Sequence, residues 1–258
     1  MNINLNEKLN KKCLDLTNFL KTDDDGVFYT GHASILVRLN KKKYLFDYIN
    51  NTNFYANSWI FFPNQIIDKR LFNVDAVFVS HIHQDHYDPA LLRKFQKRNI
   101  PIFILDGRPS FKSSLRKEKI KAKYIPVKKK TYINKNTWVY GCLHEYNDID
   151  SSMLISNNNL SVYHGNDNFI TKKTLLPFKK NVGDVDVACI PFAYINYYPY
   201  LLNGISKKFS RLEATRVESL FMDYGIEQSK ILKPKIIIPF GSNLFHLDDP
   251  NCDMNKGV

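Results

Sequence analysis

Ala76-Val77-Phe78-Val79-Ser80-His81-Ile82-His83-Gln84-Asp85-His86-Tyr87-Asp88-Pro89 is the stretch that decides the fold. It opens on an apolar run that reads as a buried strand. Four metal-binding side chains, His81, His83, Asp85 and His86, follow within six residues. A helix brings residues three or four apart onto one face, so it sets out this spacing poorly. A loop at a strand end can fan the four side chains around two neighbouring ions. Imidazole nitrogen and carboxylate oxygen suit zinc, iron or manganese. Just beyond, Asp88 reads as a helix N-cap and Pro89 as the first helical residue, with Leu91, Leu92 and Phe95 as the apolar stripe.

The rest of the composition bounds the answer. At 258 residues, with 44% hydrophobic and 14% aromatic content, the chain can build one large core. The expected division is an N-terminal extension over 1–25 and a metal-binding domain over 26–258. No apolar run is long enough to span a bilayer, and the first residues lack the apolar core of a signal peptide, so a cytoplasmic protein is expected. Cys13, Cys142, Cys189 and Cys252 are scattered, which argues against a structural zinc site, a cysteine-held cluster or a disulfide framework. Lys+Arg of 37 against Asp+Glu of 25 leaves +12, which favours anionic partners: nucleic acid, an anionic small-molecule substrate that is phosphorylated or nucleotide-linked, or an acidic carrier. The lysines form short clusters without interleaved aromatics, and no nucleic-acid module is seen.

Periodicity divides the chain into a β-rich first half, strand–helix alternation, more strands, then a helix and a closing strand. Residues 27–30, 33–39 and 42–48 read as consecutive strands, and 50–72 as irregular and aromatic. Strands are expected in IPIFIL, KAKYIPV, TWVYGC, SSMLIS, LSVYHG, VDVACIPF and KPKIIIPF, and helices after Pro109 and over 211–231, the last interrupted by Gly225. The expected fold class is α/β, a four-layer αβ/βα sandwich.

The His-x-His-x-Asp-His loop resembles that of the metallo-β-lactamase superfamily, and the hairpin around Gly31-His32-Ala33-Ser34 and Asp47 resembles that family's opening. The resemblance implies that His81 and His83 face one metal, and Asp85 and His86 a second. It implies that His144, after TWVYGC, Asp167, after LSVYHGN, and His246, after KIIIPFGSNLF, complete the site, with Asp167 between the metals. Glu145 or Asp148 are alternatives to His144. Asp47, His32 and His164 would support the ligands from behind, and Asp85 would also accept a proton.

Within that superfamily, SHIHQDHYDPALLRKF, HEYNDIDSSMLIS, IPFAYINYYPYLL and LFHLDDPN resemble the catalytic region of CMP-N-acetylneuraminate hydroxylase and its bacterial relatives. This implies a non-haem diiron oxygenase hydroxylating an anionic molecule such as a nucleotide-linked or phosphorylated sugar. The hydroxylase carries a Rieske iron–sulfur domain. This chain has no Cys and His pairs for one, so an external reductase is expected. The same ligands would serve a zinc or manganese hydrolase of phosphoester or amide bonds, and a non-catalytic metal-binding scaffold is the third reading. Trp59, Tyr194, Tyr197 and Tyr198 are candidate walls of the substrate pocket.

Overall fold

The computed structural model describes residues 15–51, 53–62, 64–147, 149–192, 198–200, 202–241 and 243–246. The chain opens with α1 (Leu16–Lys21), β1 (Gly26–Gly31), β2 (Ser34–Leu39) and β3 (Lys42–Phe46). The segment expected to be irregular holds β4 (Asn53–Phe54), β5 (Trp59–Phe62) and a 3-10 turn over Lys69–Phe72. Next come β6 (Ala76–Phe78), α2 (Pro89–Lys97), β7 (Ile102–Leu105), α3 (Pro109–Lys117) and β8 (Lys123–Ile125). The second half runs β9 (Thr131–Tyr132), β10 (Trp138–Leu143), β11 (Ser151–Ser156), β12 (Ser161–His164), α4 (Lys172–Val182) and β13 (Val187–Pro191). It closes with α5 (Lys207–Leu232), β14 (Ile236–Phe240) and β15 (Asn243–His246).

Two six-stranded sheets organise these elements, in the orders β1-β2-β3-β6-β7-β8 and β14-β13-β12-β11-β10-β9. Each is antiparallel through its meander and parallel through its last three junctions or two: β3-β6-β7-β8 in the first, β12-β13-β14 in the second. A small third sheet, β15-β5-β4, lies apart from both.

Side-chain alternation turns the two sheets into four layers. Leu36, Leu45, Val77 and Ile104 point outward and pack with Leu91, Phe95, Phe111 and Leu115 of α2 and α3. Ile35, Val37, Phe46 and Phe78 point inward and meet Val139, Met153, Ile155 and Val162 from the opposing sheet. Tyr140, Leu154 and Tyr163 point out of the far side and pack with Leu175, Phe178 and Leu232 of α4 and α5. The order helix, sheet, sheet, helix is the expected αβ/βα sandwich. Each fully buried Leu or Phe contributes roughly 1.5–3 kcal/mol.

Local rules account for most element ends. The Asp88 side chain accepts from Leu91 N at 2.9 Å and starts α2, with Pro89 at its first turn. Ser206 caps α5 through Phe209 N, so this helix begins four residues before the apolar periodicity at 211 suggested. Gly225 is no weak point: it is buried where α5 crosses β13, and a Cβ there would lie 3.0 Å from Pro191 O. α4 was not foreseen because Pro177 sits within it. Its Thr171 cap and the buried series Leu175, Phe178 and Val182 outweigh that residue. No helix among the described residues is long and apolar enough to cross a membrane.

Candidate metal centre

The carboxyl ends of β6 and β12 meet at one edge of the sandwich, where parallel strands characteristically present ligand-binding loops. Asp47, fully buried at the end of β3, organises the loop from Ser80 to His86. Its Oδ1 accepts from Ser80 N at 2.8 Å, and its Oδ2 from the Ser80 hydroxyl at 2.5 Å. Ser80 Oγ lies 3.0 Å from His81 Nδ1, and Asn166 Nδ2 lies 3.1 Å from the same nitrogen. His86 Nδ1 donates to Asp47 Oδ2 at 3.0 Å. The Asp47 carboxylate thereby assigns neutral His86 its Nδ1–H tautomer, which leaves the Nε2 lone pair facing the site, and His81 turns its own Nε2 the same way.

Two groups of ligand atoms result, each within 4.8 Å of one another: His81, His83 and Asp167, and His32, Asp85 and His86. In the first, His81 Nε2 lies 2.8 Å from His83 Nδ1 and 3.9 Å from Asp167 Oδ2. In the second, Asp85 Oδ2 lies 3.1 Å from His32 Nε2 and 3.4 Å from His86 Nε2. Asp167 Oδ2 is also 3.1 Å from His86 Nε2, so one carboxylate reaches both groups. Gly165 permits this placement: a Cβ there would lie 2.8 Å from Cys189 O, and the loop could not hug β13. His32 is nearer than the supporting position expected of it. It has φ 48°, and its ring stacks on Phe61 at 4.2 Å. Tyr55, which nothing in the sequence marked, donates to Asp85 Oδ1 at 3.1 Å.

The donor chemistry fits metal ions. His86 Nε2 and Asp150 Oδ1 are buried without a hydrogen-bond partner, at the point where lone-pair-bearing atoms converge. Buried polar atoms are normally satisfied, and a cation satisfies several acceptors together. Burial, with His86 and His83 alongside, lowers the His81 pKa to about 3, so it stays neutral. Burial works against a charge on His86, yet Asp167 and Asp85 outweigh it and raise its pKa well above the usual imidazole range. Burial likewise opposes ionisation of Asp85 and Asp167, and His86 outweighs it, holding both below the usual carboxylate range. Without metal, a proton on His86 does part of a cation's work.

The expected third partner of the first group divides into two residues. His144 Nδ1 accepts from Tyr146 N at 3.0 Å and Asn147 N at 3.1 Å, so the hydrogen of the neutral ring sits on Nε2. A ring held that way offers a donor. Asp150 instead brings Oδ1 to 3.7 Å from His81 Nε2. Asn147 Nδ2 holds its other oxygen at 2.8 Å, and burial followed by repulsion from Asp167 raises its pKa. The Asn147-to-Asp150 spacing ahead of an apolar strand is the only sequence signal for it. Glu145 is engaged elsewhere, accepting from Thr171 Oγ1 and Thr174 N at the start of α4. Asp148 lies outside the described residues.

The remaining candidates scatter. His164 Nε2 donates to Ala33 O at 2.7 Å, and the ring packs against Phe46 and Phe240. The backbone of His246 pairs with Trp59 across β15 and β5; its side chain lies outside the described residues. Trp59 is buried against Tyr55 at 4.7 Å between ring centroids. Tyr198 is turned to Glu213, donating at 2.7 Å. Tyr194 and Tyr197 lie outside the described residues. A cavity of about 350 Å³ opens beside Asp150 and Asp167, with His144, Phe169, Phe221 and Tyr224 in its wall.

Known proteins agree with this architecture. A curated protein of Mycolicibacterium smegmatis, named as a Rieske 2Fe-2S iron-sulfur protein, is 35% identical over 78 residues, 30% of this chain and 15% of that protein. CmlA, a diiron beta-hydroxylase from Streptomyces venezuelae, superposes with TM-score 0.55 at 16% identity over 86% of this chain and 45% of that one. Igni18, a metallo hydrolase from Ignicoccus hospitalis, also gives 0.55 at 16% identity, over 83% and 81%. The chain thus spans under half of the first two, and at such identities the structural likeness shows the fold. The beta-lactamase superfamily domain model matches residues 26–217, and the chain belongs to that family, with the metallo-β-lactamase fold.

Proposed function

We propose that this protein is a dinuclear metal enzyme, and that the metal is iron. His81, His83, Asp150 and Asp167 would hold one ion. Asp85, His86, Asp167 and His32 would hold the other, with His246 kept in the set on the family resemblance. The observation that carries iron is Asp150. With it, three carboxylates join the imidazoles around two ions, a mixed nitrogen and oxygen donor set that iron accepts and that has no thiolate to favour zinc. The branch resemblance to CMP-N-acetylneuraminate hydroxylase supports the same reading, a hydroxylase of a bound small molecule.

A bound iron pair would supply reductive activation of O2, with electrons from a separate reductase. The chain's own residues prepare the site. Asp47 aims His81 and His86; Tyr55 holds Asp85; Asn147 holds Asp150; His144 Nε2 presents a donor to whatever enters the cavity. Tyr55 donates to one oxygen of Asp85 and sets its orientation, and a proton-accepting role for Asp85 belongs to the alternative hydrolase reading. We take 26–258 as the catalytic domain. The preceding segment packs on it, with Leu16 and Phe19 buried and Arg38 donating to Thr22 at 2.6 Å. We place the protein in the cytoplasm, where Cys142 and Cys189, both free and buried, would stay reduced.

The test is metal analysis and an optical spectrum of protein purified without added metal. Two irons per chain, with near-ultraviolet absorption that bleaches on reduction, is the expected result. Two zincs and no iron would sink the oxygenase and leave the hydrolase.

A further inference from the structure

The cavity beside the candidate metal centre has two unlike ends. One carries Asp150, Asp167 and the His144 donor. The other is a wall of three half-buried rings from two elements: Phe169, just after β12, and Phe221 and Tyr224 on α5. Phe169 and Phe221 meet edge to face at 4.3 Å, with Tyr224 at 6.2 Å from each. Half-buried aromatic rings lining a cavity make an apolar wall suited to an apolar group.

Charge separates the possible occupants. The net +12 of the chain does not converge here: among the described lining residues none is Lys or Arg. Lys172, at the nearby start of α4, is paired with Glu227 at 3.1 Å. The His144 ring accepts two backbone N–H groups at Nδ1, so it offers this cavity a hydrogen-bond donor at Nε2. At about 350 Å³ the cavity suits a small ligand, within the roughly 300–1,000 Å³ usual for such sites. Among the described residues, nothing at the ring end would repay the desolvation of a second anionic group.

We propose that the substrate is amphipathic: a polar reacting end at the metal ligands and an uncharged, flat apolar group, an aromatic ring or its equivalent, against Phe169, Phe221 and Tyr224. This rests on the metal reading above and replaces an anionic tail with an apolar one.

Three metal-chelating probes of different tails test it on metal-loaded protein by calorimetry: acetohydroxamate, phenylacetohydroxamate and succinomonohydroxamate. Phenylacetohydroxamate should bind about 10-fold tighter than acetohydroxamate, the scale set by one ring contact with its buried area. Phe221→Ala and Tyr224→Ala should each remove most of that advantage. Acetohydroxamate affinity should hold in both variants, which shows them folded and loaded. Equal affinity for the methyl and phenyl probes, or tightest binding by the succinyl probe, overturns the apolar subsite and leaves the metal reading standing. No binding by any probe overturns both.

Discussion

The loop after β6 and the loops after β10 and β12 contribute the same kinds of donor atom by different means. The first is contiguous. Its candidate ligands lie within a short turn, and one buried acid, Asp47, contacts His86 directly and His81 through Ser80. The second is assembled. Asp150 is held by Asn147 and by Arg108, which donates to its carbonyl at 2.7 Å, and Asp167 depends on Gly165 lying flat against β13. Its side chains are also more open: Asp167 is 31% exposed, against 0% for His81 and His86. A contiguous ligand loop can be rigid because its supports are buried with it. An assembled one leaves room for a cavity.

The largest expected effect tests where the two halves join. Asp167→Ala should empty both ion positions, because its carboxylate reaches both groups. Asp47→Asn should weaken metal binding by about 10–100-fold, the usual scale for the partners that orient ligands. If bound metal per chain is unchanged in Asp167→Ala, the shared-carboxylate geometry is wrong.

A smaller effect separates the two candidates in the assembled half. Asp150→Asn should reduce metal content toward one ion per chain. His144→Ala should leave both ions in place while weakening ligand binding in the cavity. The reverse outcome, metal lost with His144 and kept without the Asp150 carboxylate, would return His144 to the ligand set.

The smallest effect sharpens the electrostatic side of the comparison. In chelated protein His86 has a pKa raised above its unfolded value of about 6.5. Its contribution to stability is therefore complete below pH 6.5 and is lost as pH rises through the folded value. His81, His144 and His164 are lowered, so in the unfolded chain they shed protons over about one pH unit above 6.5 and oppose the His86 effect there. Burial also raises Cys142 and Cys189, to about 12, and these begin to matter near the ordinary thiol range of about 8.5. Above about pH 7.5, chelated protein should lose stability at up to ~1.4 kcal/mol per pH unit, read from denaturant midpoints. Metal-loaded protein should not, because the ion takes the proton's place. A flat profile for both forms would show that His86 carries no proton in the metal-free fold.

The fold was largely legible because its signals are local. Period-two alternation in 34–46 and 138–163 specifies the two faces of each sheet, and Asp88-Pro89 starts a helix by capping chemistry alone. Failures came where local signals conflict or are weak. Pro177 masked α4, and the short strands β4 and β5 were hidden in an aromatic-rich segment read as irregular. At the site, the four closely spaced candidate ligands of the His81 loop stand out directly in the sequence. Asp150, Tyr55 and the near approach of His32 could not, because each depends on a contact across 30 or more residues.

By itself, then, the sequence determined the donor chemistry of one loop, the strand before it and the helix after it, since backbone preference and side-chain type act over a few residues. Tertiary structure alone decided which carboxylate joins that loop, which His144 nitrogen bears the hydrogen and what lines the cavity. Those outcomes depend on how two sheets pack, and packing places atoms at ångström precision that spacing along a chain does not encode.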